Sequence, residues 1–196
     1  MIRQAFSEHG FVKIIDVGGT EQYWKIVPRK YLENQNVEIT IINLPGVRMP
    51  EDHGPFKFVV ADGCDLLSFD DCLFHIGHSN SVVEHVGDWN RMIQFAKEIS
   101  RVSEKYFVQT PNYWFPIEPH CMTPFFHWLP KPIRIWLILH FNLGHWKKAS
   151  SIDEAVCLVE SVRLLNKKMF KELFGGSRII TETCFWVPKS FVAIKD

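Results

Sequence analysis

Short apolar runs alternate with amphipathic stretches along this chain, and the two periods separate strands from helices. Phe11–Val17 is apolar except for Lys13 and Asp16, and it stops at Gly18-Gly19. Val37–Asn43 is rich in β-branched residues and ends before Pro45-Gly46, as a strand entering a turn does. Lys57–Ala61, Leu73–His78 and Tyr106–Gln109 read as the third, fourth and fifth strands. Gln22–Lys30 has room for a short helix, and Trp89–Glu104 carries Met92, Ile93, Phe95, Ala96, Ile99 and Val102 at helical spacing. Ser151-Ile152-Asp153-Glu154 matches a capping box. The helix it opens carries Val159, Val162, Leu165, Met169 and Leu173, and closes at Gly175-Gly176. Arg178–Phe185 and Ser190–Ile194, joined by 186–189, read as a hairpin. The pattern predicts an α/β fold of five parallel strands followed by an antiparallel hairpin, with helices on both faces.

Composition narrows the class. At 196 residues, one domain over 1–196 is expected. Lys plus Arg and Asp plus Glu each number 22, a balance that argues against a nucleic-acid binder built on phosphate contacts. With 46% hydrophobic residues the chain has ample material for a core. Cys64, Cys72, Cys121, Cys157 and Cys184 include no C-x-x-C pair and read as free buried thiols of a reducing cytosol. Met1–Gly10 lacks the apolar core of a signal peptide, and no apolar run reaches 18 residues, so a cytoplasmic protein without a transmembrane segment is expected.

The stretch Ile14-Ile15-Asp16-Val17-Gly18-Gly19-Thr20-Glu21-Gln22-Tyr23-Trp24 carries the strongest chemical signal. A buried strand running into an acidic residue and two glycines lets a ligand approach the backbone at the carboxyl edge of an open sheet. It is neither the dinucleotide fingerprint G-x-G-x-x-G nor a P-loop, because no G-K-[ST] follows. A nucleoside bearing an amino acid suits such a turn; a plain tight turn is the bland alternative.

This segment resembles the first motif of class I S-adenosylmethionine-dependent methyltransferases, in the variant D-V-G-G-T-x-x-(F/Y)-W, and the likeness runs through most of the chain. Ile41-Ile42-Asn43-Leu44 resembles the end of the family's second strand, and Val60-Ala61-Asp62-Gly63-Cys64-Asp65-Leu66 its adenine-contacting segment. His78-Ser79-Asn80-Ser81-Val82-Val83-Glu84-His85-Val86 is similar to S-N-S-V-I-E-H-V after the fourth strand. Gln109–Trp114 and Pro188–Ala193 resemble the ends of later strands, and the closest group is the methyltransferase type 11-like proteins of bacteria. The resemblance implies a Rossmann-like seven-stranded sheet and S-adenosylmethionine as cofactor. It implies Asp16, Gly18, Gly19 and Thr20 at the methionine end, with Asn43 and Leu44 near the ribose. Asp62, Gly63 and Cys64 would meet the adenine, and Ser79, Asn80 and Ser81 would close the pocket. Asn43 stands where the family often has an acidic residue; an amide can bond a ribose hydroxyl but lacks the charge.

Glu84-His85 resembles part of the E-x-x-E-H metal motif of O-methyltransferases of small RNAs and of the ubiquinone pathway. Ser81 replaces the first glutamate and the sequence offers no third ligand, so no metal is expected. His85 reads instead as a general base or as a helix-start residue bonding backbone. Glu118 and His120, in the proline-stiffened loop after the fifth strand, are further catalytic candidates, or a solvated pair in a rigid loop. His75 and His78 read as satisfied strand histidines.

The 16 Phe, 7 Trp and 4 Tyr are not spread evenly. Nine of them fall between Tyr113 and Trp146, with six of the 11 prolines between Pro111 and Pro132. Residues 112–147 therefore read as an insertion capping the substrate side: a lid over an apolar acceptor, an element touching a membrane surface, or a dimer contact, with ordinary core packing for many of its residues. The resulting expectation is methyl transfer, by preference to oxygen, onto a small or partly apolar acceptor by a monomer or homodimer, with peripheral membrane contact left open. A nicotinamide-dependent reductase lacks its motifs here. The alternative is a degenerate, truncated relative that binds cofactor or a partner without catalysis.

Overall fold

The strands read from the sequence assemble into one sheet. A computed structural model describes residues 1–196, and its elements in chain order begin with α1 (Ile2–His9), β1 (Val12–Val17), α2 (Glu21–Trp24), α3 (Arg29–Asn34), β2 (Val37–Asn43), β3 (Phe56–Val60) and β4 (Phe74–Asn80). There follow α4 (Trp89–Val102), β5 (Ser103–Pro111), the two-residue strands β6 (Ile117–Glu118) and β7 (Thr123–Pro124), α5 (Lys131–His140), α6 (Ile152–Glu160), α7 (Lys167–Leu173), β8 (Arg178–Cys184) and β9 (Val187–Lys195). The seven-stranded order is β3-β2-β1-β4-β5-β9-β8, and β6 pairs with β7 apart from it. Strands β1 to β5 pair in parallel, and β9 runs antiparallel to both of its neighbours.

Strand alternation sorts the core onto the two faces. Val12, Ile14, Ile39 and Ile41 pack with Ala5, Trp24 and Leu32 from α1–α3. Ile15, Val17, Ile42 and Val108 pack with Met92, Phe95 and Ile99 of α4 and Phe170 of α7. A third, separate core of Cys121, Phe126, Ile138, Ala149, Ala155 and Val159 joins α5 and α6 to the loop after β6.

Five features differ from the sequence expectation. Residues 2–9 form a helix that ends at Gly10 in the left-handed region (φ 75°). The long helix opened by Ser151 is two helices: Ser161–Leu165 is irregular, and Asn166 caps α7 by accepting from the Met169 amide at 3.0 Å. An apolar stripe continues across that break, so periodicity alone could not reveal it. The capping glutamate reaches one residue further back than expected, with Glu154 Oε2 accepting from the amide and hydroxyl of Ser150, both at 2.7 Å. Cys64 and Cys121 are buried, whereas Cys72 and Cys157 are exposed and Cys184 is intermediate; all five are free.

The β8–β9 connection is also shorter than expected, with Phe185-Trp186 between the paired residues Cys184 and Val187. Both turn residues have positive φ (47° and 70°), and both side chains are exposed. That backbone matches the twist of a two-residue hairpin but strains large L-residues. Replacing the pair by Asn-Gly is expected to stabilise the fold by about 1–2 kcal/mol, read as a higher urea midpoint at unchanged m-value. A lower midpoint would show that the two rings make contacts that outweigh the strain.

Candidate functional site

The first motif turns sharply where its glycines require it. Gly18 adopts φ 73° and donates its amide to the Ile42 carbonyl at 2.7 Å, while Gly19 leaves space that a Cβ would contest with the Asp16 carboxylate. Asp16 is fully buried and accepts from Trp24 Nε1 and from His78 Nδ1, each at 2.7 Å. With its Nδ1 proton committed to Asp16, His78 accepts at Nε2 from the Tyr23 hydroxyl at 3.2 Å. Burial, and then the Asp16 charge, raise the Tyr23 phenol, so it remains a donor.

Two clefts lie along the carboxyl edge of the parallel strands, either side of the β1–β4 switch point where open sheets bind ligands. The first, about 280 Å³, is lined by Gly18, Asn43 and Leu44, by Asp62 and Gly63, and by apolar walls that include Val47, Val82 and Phe95. The second, about 620 Å³, has Tyr23, Asn80 and Gln109 on one side, with Ile117, Pro119 and Met122 among the residues that complete it. Ser81 lines both. It sits at φ 57° and donates its hydroxyl to Gln109 Oε1 at 2.9 Å.

Six of the twelve residues carried over from the first-motif resemblance and its companions therefore line the first cleft: Gly18, Asn43, Leu44, Asp62, Gly63 and Ser81. Asn80 lines the second. The other five stand behind the walls. Asp16 holds His78 and Trp24 together, and Gly19 packs on its carboxylate. Thr20 caps α2, Ser79 donates to the Val17 carbonyl, and buried Cys64 donates to the Arg91 carbonyl. Asn43 uses its amide to donate to the Gly19 carbonyl at 3.0 Å, a bond that a carboxylate could not make. Asp62 is bridged by Arg91 at 2.6 Å. Burial pushes its carboxyl up, but the Arg91 bond and the Cys64 amide together hold it below its ordinary value.

The three catalytic candidates meet. Glu118 Oε1 accepts from His120 Nδ1 at 2.7 Å, His120 Nε2 lies 2.8 Å from His85 Nε2, and His85 Nδ1 lies 3.0 Å from the Ser161 carbonyl. A carbonyl only accepts, so His85 carries its proton on Nδ1 and accepts at Nε2; His120 then donates from both nitrogens. The surroundings agree with that assignment. Burial lowers His120, but its bond to Glu118 outweighs this and raises it; His85 keeps an exposed edge on the first cleft, yet the desolvation of its ring by the groups packed around it, and then the neighbouring His120, lower it. Glu118 is raised by burial and lowered further by His120 and the Cys121 amide, so it stays ionised. Beneath them Glu84 is fully buried, accepts from Thr110 at 2.9 Å through one oxygen and is pushed up to about 7 by burial.

The irregular segment after α6 builds this arrangement. Ser161 positions His85, and the Arg163 amide donates to the Glu84 carbonyl at 2.8 Å. Leu165 accepts from the Tyr113 amide at 2.9 Å, tying the segment to the end of β5. Glu84 and His85 lacked a third partner by sequence spacing; His120 supplies it from 35 residues away. His75 and His78 are satisfied as expected, His75 by the Lys13 amide. Tyr23, Arg91 and Gln109 were missed as site residues; only Tyr23 had a signal, its place inside the first motif.

No protein-family model matches the chain, and no curated protein matches it. Solved structures do. A S-adenosylmethionine-dependent methyltransferase from Methanosarcina mazei is 17% identical, with 94% of this chain aligned to 91% of that one at a TM-score of 0.53. A Nostoc punctiforme protein classed as an O-methyltransferase is 13% identical over 99% of this chain and 54% of its own, at 0.52. A carbon methyltransferase is 11% identical over 98% of this chain and 51% of its own, at 0.60. The chain thus spans about half the length of the last two. At such identities the likeness shows the fold.

Proposed function

We propose that this chain, which has the fold of class I S-adenosylmethionine-dependent methyltransferases, binds that cofactor in the first cleft and methylates an acceptor held in the second. The observation that carries the reading is the pair of clefts meeting at Ser81, with the Glu84–His85–His120–Glu118 cluster beside them. The residues present suit the cofactor. Apolar Val47, Val82 and Phe95 offer faces for a purine, Asp62 and the Asn43 carbonyl oxygen are acceptors for its amino and hydroxyl groups, and glycine at 18 and 63 leaves backbone accessible. Bound S-adenosylmethionine supplies a methyl group on a sulfonium, open to in-line attack. The protein's share is alignment of the acceptor and exclusion of water.

The second cleft sets the acceptor class. Tyr23, Asn80 and Gln109 can hold hydroxyl or carbonyl groups, while Phe107, Phe115, Ile117 and Met122 give it an apolar side. A small, partly apolar acceptor with a hydroxyl fits this lining; the cluster reaches the two clefts through His85, which lines the first, and Pro119, which lines the second beside Glu118 and His120 in the chain. O-methylation follows as the preferred chemistry. Residues 112–147 serve as the cap, since Phe115, Ile117, Pro119 and Met122 line the second cleft.

Calorimetry with S-adenosylmethionine tests the reading. Binding at micromolar to high-micromolar Kd is expected. Val47→Trp, a change at a half-exposed wall residue of the first cleft, should weaken it at least tenfold without altering the fold. No binding by the folded wild-type chain would remove the cofactor, leaving a scaffold with the same fold.

A further inference from the structure

We infer that Glu84, His85 and His120 form a binding site for a divalent transition-metal ion at the margin of the first cleft. The ion's binding stands on geometry alone; its part in catalysis rests on the methyl-transfer reading. One ligand atom from each of the three residues falls within 4.8 Å of the other two. Both imidazoles have Nδ1 engaged, by the Ser161 carbonyl and by the Glu118 carboxylate, so both turn Nε2 toward the same point. A carbonyl or carboxylate behind each ring is the arrangement that orients metal-ligating histidines.

The buried carboxylate supplies the independent observation. Glu84 is 0% exposed, its other oxygen is held by Thr110, and Oε1 has no hydrogen-bond partner. An unpartnered carboxylate oxygen in the interior carries a desolvation cost that a coordinated cation removes. Without metal, the two Nε2 atoms at 2.8 Å share one proton. An ion takes the place of that proton, and metal–nitrogen bonds of about 2.0–2.1 Å in tetrahedral geometry need the nitrogens about 3.3 Å apart. The opening required is small for two side chains in a loop and a short helical turn.

Donor chemistry sets the class of ion. Two imidazole nitrogens and one carboxylate oxygen favour Zn2+, Co2+, Mn2+ or Fe2+ over the oxygen-seeking Mg2+ and Ca2+. Three protein ligands leave a position open. His85 is exposed and lines the first cleft, so the open side faces the ligand-binding edge. An acceptor hydroxyl that extends from the second cleft past Ser81, which lines both clefts, to this open position would have its pKa lowered and release its proton to solvent, leaving the oxygen ready for methylation. The other group of potential ligands, His9, His75 and Glu104, lacks these features. Its two rings stack face to face at 4.2 Å, and His75 Nδ1 already accepts from the Lys13 amide.

The full chain, stripped with chelator and titrated with Zn2+ alone, tests the site by calorimetry, with Co2+ absorption as a second readout. One ion per chain is expected, with visible Co2+ bands of mixed nitrogen–oxygen ligation. His85→Ala, His120→Ala and Glu84→Gln should each weaken binding at least tenfold. Glu118→Gln should weaken it by about 10–100-fold through the ring it orients. His9→Ala should leave it unchanged. Circular dichroism checks the fold of every variant; if the alanine variants unfold, the Co2+ spectrum of wild type decides. Absence of Zn2+ uptake and of Co2+ bands at neutral pH, or binding indifferent to His85 and His120, would overturn the site. S-adenosylmethionine titrated into the same samples separates the two failures, since metal binding without cofactor binding sinks only the methyl-transfer reading.

Discussion

Gly19→Ala is expected to destroy the first cleft and to cost roughly 3 kcal/mol of stability. An added Cβ would lie 1.7 Å from Asp16 Oδ2 and 2.1 Å from its Cγ, far inside contact distance. The carboxylate cannot step aside, because Trp24 Nε1 and His78 Nδ1 clamp it at 2.7 Å on either oxygen. The loop must move instead, and it carries the Gly19 carbonyl away from the Asn43 amide. Because Asn43 and Gly18 line the first cleft, loss of stability and loss of cofactor binding should arrive together. Urea denaturation and calorimetry measure the two. Gly176→Ala, with nothing within 4 Å of its new Cβ, is the control and should stay within about 0.5 kcal/mol of wild type. A Gly19→Ala protein as stable as that control would show that the carboxylate is not fixed as described.

Asp16→Ala is the second large effect, expected at about 3–5 kcal/mol. The substitution leaves the Trp24 and His78 N–H groups facing the space that the fully buried carboxylate occupied, without their acceptor. Asp16→Asn should cost less, since an amide oxygen still accepts one of the two donors, although its NH2 then opposes the other. The ordering Ala worse than Asn, read from urea midpoints, is the diagnostic result. Equal and small effects would mean that the network contributes little. Because Tyr23 hangs from His78 in the second cleft, either variant should also weaken acceptor binding more than cofactor binding.

The sheet was legible because its strands are largely apolar runs stopped by Gly-Gly, Pro-Gly and loop polar residues, and central parallel strands read that way. The hairpin turn was not, since Phe185-Trp186 carries no turn composition; only the pairing register reveals it. The break after α6 was hidden for a different reason. Leu165 sits in phase with the helical stripe, yet its backbone is committed to Tyr113 and its neighbours to Glu84 and His85. Local propensity gave way there to the demands of the site. Within the site, Glu118, His120 and His85 were each readable as polar residues at strand-end positions. Their meeting was not, because a contact between residues 85 and 120 leaves no trace in local spacing. Asp16 differs again: its motif position suggested a ligand contact, and nothing in the sequence showed that its carboxylate is fully buried between Trp24 Nε1 and His78 Nδ1.

The separate apolar core of Cys121, Phe126, Ile138, Ala149, Ala155 and Val159 has a consequence for when the site exists at all. A cluster that shares no residue with either sheet core can open without melting the strands, as small sub-global units do. Glu118 and His120 ride on that unit, whereas Glu84 and His85 stand on the sheet side. Whatever loosens that unit would break the His85–His120 contact while the sheet stays folded, so the four side chains come together only when both the sheet and this smaller core are formed.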